Sequence, residues 1–494
     1  MSSTVARNTA WLMAATLGQK IVSFLAFYVI ARLVGPVVTG KYFYAVSITS
    51  IFVVLADFGL TPVVIREIAA NEEKGRAFLG RALRIKAFLL PLAVLCSLGY
   101  LLLASAWSGT ALEPDIFAAV GVACFVLMAD SISLIFYGAL RGKRDLRFEA
   151  VGMLVCQITT AVSSIVILRL GGGVVGLVVA LLLGSLWNLG WSIYHAIKRR
   201  ATPLPAERVT VKAIALAALP FGLAGLFVKI YSYTDSLLLR QYFGHASVGQ
   251  YAVAYKLTYA LQFLPLTFVA ALYPAMSADY AAGNHEGLRK ALKNGMRLMM
   301  LVSVPLSALL SALAKPIILT FYGRPYEGAI APMMVLPWVL IPIFLDFPVG
   351  SLLNATRRSS QKTISMGVTM VINVALNLVL VPIYGPLGAA YAGVVSFWML
   401  LALGLWFARK DLPEVRWFAS FFVRGLIGAG IIWAATRFLA VGFPFIAQLI
   451  FGGAVSLAIL FLLRLCLVDD LVAVWGFLRR RAVPPPDATE EAGS

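Results

Sequence analysis

Apolar stretches about twenty residues long or longer recur along the chain, and they constrain its fold more than any other feature. Two of them run from Trp11 to Leu33 and from Tyr42 to Ile65. A helix needs about 20 apolar residues to cross the hydrocarbon core of a bilayer, whereas barrel strands show about ten residues of alternating polarity. Because the bilayer offers no water to backbone groups, a bundle of helices is the structure that satisfies them.

The composition agrees with a membrane protein. Hydrophobic residues make up 61% of the 494 residues and charged residues only 13%, whereas a soluble domain carries about 25% charged residues. We therefore predict an all-α polytopic membrane protein with about fourteen transmembrane helices. The first apolar stretch contains Lys20 and has no small-residue cleavage site, so we expect it to be retained as a span.

The positive charges are distributed unequally between alternate connections. One set of connections and the two tails hold 30 of the 41 lysines and arginines, among them Lys86 and Lys362, and the opposite connections hold seven. Connections rich in lysine and arginine stay on the cytoplasmic side. This predicts a multi-pass protein of the bacterial cytoplasmic (inner) membrane with both termini in the cytoplasm. The net charge of +19 is explained by this bias, and we expect no nucleic-acid partner.

The two halves of the chain show an internal repeat. Five residues of the first half recur 209 positions later, and the pairs are Lys20 and Lys229, Gly35 and Gly244, Gly40 and Gly249, Tyr42 and Tyr251, and Ala45 and Ala254. A second pair, Gly173 and Gly176, recurs 212 positions later as Gly385 and Gly388. A repeat unit of six helices is even-numbered, so both copies cross the membrane in the same sense.

This repeat predicts the domain organisation. Residues 1–200 form an N-lobe of six spans, residues 208–410 form a C-lobe of six spans, and residues 416–468 add two further spans. The substrate path is expected between the two lobes. Residues 482–494 are rich in proline and acidic residues and are predicted to be a disordered cytoplasmic tail.

Three lysines fall within predicted spans: Lys20, Lys229 and Lys256. Charges inside a membrane are costly and usually face a cavity or a partner. We predict that these lysines line a cavity and bind a diphosphate or an acidic sugar. The alternative is a buried ion pair with one of three aspartates: Asp57, Asp130 or Asp235.

Polar and aromatic residues at helical spacing accompany these lysines. Tyrosine offers a sugar both apolar area and a hydrogen bond, so we predict five residues that face the sugar: Tyr233, Ser236, Tyr255, Tyr259 and Gln262. The alternative is an interfacial belt or ordinary helix packing. Four aspartates in or near spans are candidates for a gate or for coupling to H⁺ or Na⁺: Asp57, Asp130, Asp235 and Asp346.

Catalytic and cofactor motifs are absent from the sequence. It has no phosphate-binding G-x-x-x-x-G-K-[ST] motif and no metal-ligand spacing, and His245 is expected to be exposed in a loop. The connections are too short to supply a catalytic domain. We therefore expect no enzyme activity, no catalytic residue, no metal and no cofactor.

Several short motifs resemble the polysaccharide transporter family, and their order and spacing are more specific than each motif alone. They are Leu33–Pro36, Gly40–Tyr42, Ala56–Leu60, Asp235–Leu239, Val248–Tyr251, Ala254–Leu257, Tyr273–Ser277, Phe321–Gly323, Asn373 with Asn377, and Ile383–Ala390. Asp235 and Lys256 stand at positions typical of the family.

The resemblance implies a Wzx-type flippase of the multidrug/oligosaccharidyl-lipid/polysaccharide exporter superfamily. Such a protein moves undecaprenyl-diphosphate-linked oligosaccharides across the membrane by alternating access, for surface polysaccharide biosynthesis. Its partners are the lipid-linked oligosaccharide, membrane lipid, and a polysaccharide polymerase or glycosyltransferases. Two alternatives within the superfamily stay open, a lipid II-type flippase and a drug/cation antiporter. Outside it, a membrane polymerase and a non-transporting scaffold are weaker alternatives.

Overall fold

The structure is a computed structural model that describes residues 3–109, 111–205, 210–412 and 414–465. Every regular element in these ranges is a helix. Cys466 and the predicted tail at residues 482–494 lie outside the described residues.

Sixteen α-helices follow one another along the described chain. The first eight are α1 (Ser3–Asp57), α2 (Leu60–Ala70), α3 (Glu72–Ser108), α4 (Pro114–Gly142), α5 (Arg147–Arg169), α6 (Gly173–Lys198), α7 (Val211–Tyr259) and α8 (Phe263–Ala281). The next eight are α9 (His285–Ala312), α10 (Ala314–Ile317), α11 (Ile330–Val335), α12 (Leu340–Ala355), α13 (Ser359–Tyr384), α14 (Pro386–Ala408), α15 (Val415–Leu439) and α16 (Phe445–Leu462). Short 3₁₀ or π turns connect α7 to α8 and α10 to α12.

Twelve helical segments of the described chain are long and apolar enough to cross a membrane. Two of these segments have 56 and 53 residues, which at 1.5 Å per residue is about 80 Å, far more than the hydrocarbon thickness of about 30 Å. Each therefore supplies two crossings, and the candidate spans number about fourteen. The predicted all-α polytopic fold is confirmed.

The two long helices are broken at equivalent glycines. Gly35 in α1 has φ 72° and ψ 178°, and Gly244 in α7 has φ 76° and ψ −176°. Only glycine adopts this region without strain. The two positions are 209 residues apart, so the repeat seen in the sequence is a repeat of backbone conformation.

Beyond these breaks, α1 and α7 cross in backbone contact. A Cβ atom added to Gly40 would lie 1.8 Å from the carbonyl oxygen of His245, and one added to Gly249 would lie 1.9 Å from that of Pro36. Pro36 and His245 are also 209 residues apart, so the two contacts are related by the repeat. No side chain larger than a hydrogen atom fits at either glycine.

The final two helices pack on the second half of the molecule. α15 packs against α9, and α16 packs against both α15 and α9. The largest hydrophobic core joins α9, α12 and α14 to these two helices.

Replacement of a crossing glycine should destabilise the protein. Gly249→Ala places a methyl group against the backbone at Pro36, and overpacking of this kind costs about 1–3 kcal/mol. We expect a lower melting temperature for the detergent-solubilised variant. Gly430→Ala is the matched control because nothing lies within 4 Å of the added Cβ. Equal melting temperatures for the two variants would contradict the tight crossing.

Candidate functional site

Three lysines lie in the membrane-spanning parts of α1 and α7. Lys256, on the second half of α7, places its Nζ 5.7 Å from the ring centroid of Phe27 on α1. The charges of Lys20 and Lys256 are close enough to repel one another. Lys229, on the first half of α7, is instead held beside Tyr233, with Nζ 5.4 Å from the ring centroid. Lys256 therefore faces α1 across the interface of α1 and α7, within electrostatic range of Lys20.

None of these three lysines is neutralised within the described part of the chain. Two of the aspartates considered as alternative partners are engaged elsewhere. Asp57 pairs with Lys86 at 2.9 Å, and Asp235 accepts a hydrogen bond from Tyr251 at 2.6 Å. Lys20 is exposed, and Lys229 and Lys256 are half-buried. Positive charges that lack a counter-ion at this depth are available to an anionic ligand.

A row of aromatic rings runs from α1 of the first half of the molecule through α7 to α14 of the second half. Tyr255 and Tyr259 are stacked with centroids 4.1 Å apart. Phe43 of α1 lies 6.2 Å from Tyr255, and Phe397 of α14 lies 6.0 Å from Tyr259. Gln262, in the turn that follows α7, is half-buried. Phe43 and Phe397 complete the row and were not identified from the sequence, since a phenylalanine in a span has no distinguishing pattern.

Asp235 and Ser236 lie apart from this row. Both side chains are buried, and the backbone and hydroxyl of Ser236 donate to Asp235 Oδ1 at 2.6 and 3.3 Å. The hydroxyl of Tyr251 donates to the other carboxylate oxygen. Asp235 and Tyr251 stand on opposite sides of the break at Gly244, so this bond joins the two halves of α7.

Two protein-family models match this chain. The model of the polysaccharide biosynthesis protein family matches residues 5–279, which is more than half of the chain, and the MatE model matches residues 220–379. The chain belongs to the polysaccharide biosynthesis protein family. This membership confirms the resemblance seen in the sequence, within the multidrug/oligosaccharidyl-lipid/polysaccharide exporter superfamily.

Curated relatives of this family member include two flippases. The probable low-salt glycan biosynthesis flippase Agl15 of Haloferax volcanii is 20% identical over 393 residues, covering 80% of this chain and 81% of the relative. The lipid II flippase MurJ of Bacillus subtilis is 21% identical over 453 residues, covering 82% of each protein.

Solved structures support the same fold. A lipid II flippase MurJ in an inward closed conformation superposes with a TM-score of 0.75 at 16% identity, covering 93% of this chain and 99% of that chain. An inward-facing multidrug resistance MATE family transporter gives 0.66 at 19% identity, covering 79% and 95%.

The buried network around Asp57 ties together the first four helices of this family member. Lys86 Nζ bonds Asp57 Oδ1 at 2.9 Å and Ser131 Oγ at 2.6 Å, and Thr61 Oγ1 donates to Asp57 at 2.6 Å. Lys86 is only 1% exposed. The prediction that Lys86 lies in a loop was therefore wrong: it directly precedes the apolar run that begins at Ala87 in α3, and its side chain points into the bundle.

The other two candidate carboxylates differ from each other. Asp346 of α12 pairs with Lys362 of α13 at 2.5 Å, so Lys362 is likewise part of the bundle and not of a loop. Asp130 of α4 bonds the Ser185 side chain of α6 and has no cation partner among the described residues. No group of three or more potential metal-ligating residues occurs in the described ranges.

A second charged cluster, which we name the Glu113 latch, lies beside the crossing glycines. Glu113, in the connection between α3 and α4, is 2.6 Å from Lys41 and 3.9 Å from Arg240. His245 Nε2 donates to Glu113 at 3.1 Å. Lys41 is on α1, whereas Arg240 and His245 are on α7, so Glu113 joins the two repeats. The expectation that His245 is exposed was wrong, since it is 9% exposed and packs against Tyr44.

The charge on Glu113 is stabilised by this cluster. Partial burial raises the pKa of Glu113, but the hydrogen bond from Lys41 and the charge on His245 together outweigh it, so the pKa lies below its usual range. A depressed pKa means that the latch is intact above the ordinary glutamate range and is lost as the pH falls through the lowered pKa.

Loss of one charge of the buried pair between Asp57 and Lys86 should lower the free energy of unfolding more than loss of both charges. Asp57→Asn leaves Lys86 buried without a counter-charge, a loss of about 3–5 kcal/mol, whereas Asp57→Asn with Lys86→Met removes both charges and should recover most of that loss. Thermal unfolding in detergent measures both effects. Glu67→Gln, which removes an exposed pair with Arg66, is the control and should change stability by less than about 1 kcal/mol. A double variant as unstable as the single variant would contradict the buried pair.

Loss of the Glu113 latch should loosen the crossing. Ser47→Cys, in a chain without its native cysteines, reports access because Ser47 is fully buried just inside the crossing. With Glu113→Gln we expect a water-soluble maleimide to label this cysteine about two- to fivefold faster, as for loss of a partly exposed ion pair. Glu72→Gln removes a comparable pair with Lys143 and should leave the rate unchanged. Equal rates for both variants would contradict the latch.

Proposed function

We propose that this protein flips undecaprenyl-diphosphate-linked oligosaccharides across the bacterial cytoplasmic membrane. The observation that carries the proposal is the set of unneutralised lysines inside the membrane: Lys20, Lys229 and Lys256. A diphosphate cannot enter hydrocarbon unaided, because desolvating a polar group without a partner costs on the order of several kcal/mol. Ammonium groups that already lack a counter-ion replace the water that the diphosphate loses.

The aromatic row is proposed to receive the sugars. The stacked rings of Tyr255 and Tyr259 lie on the same helix as Lys229 and Lys256, and they offer the combination of apolar area and hydroxyl groups that a sugar ring requires. Tyr233, close to Lys229, and Gln262 extend the same surface. Ser236 is proposed to act indirectly, by fixing Asp235.

Transport is proposed to follow alternating access. Residues 1–200 and 208–410 act as two lobes that move about the crossing of Gly40 and Gly249, and the Glu113 latch holds that end closed. The spans within residues 416–468 remain outside the moving pair. With both termini in the cytoplasm, the closed end faces outward and the lysines are loaded from the cytoplasmic leaflet.

The relatives favour a lipid-linked substrate over a drug. One is named a probable glycan biosynthesis flippase and the other a lipid II flippase, and both fit a cationic site. A drug/cation antiporter needs acidic residues in the cavity, but Asp57 and Asp346 are paired with lysines. Asp130, without a cation partner in the described chain, is our candidate for coupling to H⁺ or Na⁺. The glycosyltransferases that build the substrate and the polymerase that consumes it are the proposed partners.

The test begins with deletion of the gene in its host. Lipid-linked intermediates are extracted, and their exposure is probed on intact spheroplasts with a membrane-impermeant glycosidase. We expect an undecaprenyl-diphosphate oligosaccharide to accumulate facing the cytoplasm. Complementation with Lys229→Ala and Lys256→Ala together should restore less than about a tenth of the transport, since each charged hydrogen bond contributes about 1.5–3 kcal/mol.

Two controls make the outcome specific. Lys290→Ala removes an exposed lysine of α9 and should restore transport fully. Unchanged exposure of lipid-linked glycans after deletion would contradict the flippase, and accumulation of lipid II in place of the oligosaccharide would favour the lipid II-type alternative. Normal complementation by the double variant would contradict the proposed role of the lysines but not the flippase function.

A further inference from the structure

A pocket unrelated to the lysine site lies between the start of α5 and the end of α6. Its volume is about 330 Å³, and it is lined by Arg147, Phe148, Val151, Trp191, His195, Lys198 and Arg199. None of these residues belongs to α1 or α7. The site described above therefore leaves this pocket unexplained.

His195 is the buried polar group of the pocket. It is 7% exposed, and neither ring nitrogen has a hydrogen-bond partner in the described part of the chain. Its ring is stacked on Phe148 with centroids 4.0 Å apart and lies 4.2 Å from that of Trp191. Leaving a buried polar group unsatisfied is costly, so a ligand atom at this position would satisfy a group that the protein does not.

The walls of the pocket are cationic. The guanidinium carbons of Arg147 and Arg199 lie 4.8 and 5.2 Å from the ring centroid of Phe148. Each arginine also forms an ion pair with Asp145 through Nε, at 3.0 Å for Arg147 and 3.3 Å for Arg199. A guanidinium has five N–H donors, so the Nη groups of both arginines remain for a ligand. With Lys198, three cations face one carboxylate, because the nearby Glu149 is paired with Arg141.

The surroundings of the pocket point to a lipid. Val151, Tyr194 and Ile197 are 40%, 56% and 59% exposed and form an apolar surface beside the pocket, at the ends of two membrane-spanning helices. Basic pockets between helices at the membrane surface recognise the head groups of anionic lipids. We infer that the pocket between α5 and α6 binds the phosphate of an anionic phospholipid, whose acyl chains lie along this apolar surface.

The second repeat does not keep two of the residues that line this pocket. At the offset of 212 residues that relates Gly176 to Gly388, Phe407 stands in the place of His195 and Ser359 in the place of Arg147. The basic pair Arg409 and Lys410 nevertheless follows the end of α14 at Ala408, much as Lys198 ends α6 and Arg199 follows it. This pair therefore provides a control for positive charge without the histidine.

The experiment measures lipid binding directly. Purified, delipidated full-length protein in a non-ionic detergent is titrated with phosphatidylglycerol and with phosphatidylcholine, and bound lipid is counted by native mass spectrometry. We expect Lys198→Gln with Arg199→Gln to weaken phosphatidylglycerol binding about tenfold or more. Arg409→Gln with Lys410→Gln should leave it within about twofold, and phosphatidylcholine should bind weakly to all three proteins.

His195→Phe tests the pocket without changing its formal charge. Phenylalanine keeps an aromatic ring against Phe148 and Trp191 but removes the two ring nitrogens, so we expect a folded variant that binds phosphatidylglycerol several-fold more weakly. Inorganic phosphate is titrated separately as the soluble source of the same group. Equal losses for the two basic-pair variants would overturn the site, and tight binding of inorganic phosphate that phosphatidylglycerol does not displace would overturn the lipid assignment.

Discussion

The backbone crossing of α1 and α7 is the contact on which the arrangement of both halves depends. Gly40 lies against the chain at His245, and Gly249 lies against the chain at Pro36. Because no side chain separates the two helices there, their axes approach as closely as backbones allow. Further along both helices the side chains become longer, and the lysines and the aromatic row lie on these parts. The tight crossing and the side chains of the candidate site thus follow from the placement of small and large residues on the same pair of helices.

Lysines occur inside this bundle in two electrostatic states. Lys86 and Lys362 each contact an aspartate, and a paired charge of this kind serves cohesion between helices. Lys20, Lys229 and Lys256 have aromatic neighbours or one another instead. An ammonium beside an aromatic face keeps part of its electrostatic stabilisation while its donors stay available. The paired lysines therefore stabilise the packing of helices within each lobe, whereas the unpaired lysines can bind and release an anionic ligand.

The fold was predictable because the length of an apolar stretch and the basic residues beside it can be read from one segment of the sequence at a time. The repeat was also visible, since Gly35 and Gly244 are needed for the same backbone conformation. The partners of the charges were not predictable. Whether Lys86 points to water or to Asp57 depends on the rotation of α3 against α1, which no local pattern records. Glu113 escaped notice for the same reason, because its partners come from helices more than a hundred residues apart.

The two copies of the broken helix are braced in different ways. In α7, the bond between Asp235 and Tyr251 spans the break at Gly244 like a strut. In α1, Tyr42 stands where Tyr251 would be, but Ala26 replaces the aspartate. The break at Gly35 is bridged instead by Tyr326, whose hydroxyl donates to the carbonyl of Ala31 at 2.9 Å and bonds Thr39 Oγ1 at 2.8 Å. The brace in α7 is internal to that helix, whereas the brace in α1 is supplied by the second half of the chain. One of the two equivalent joints therefore keeps its support when the halves separate, and the other depends on their contact.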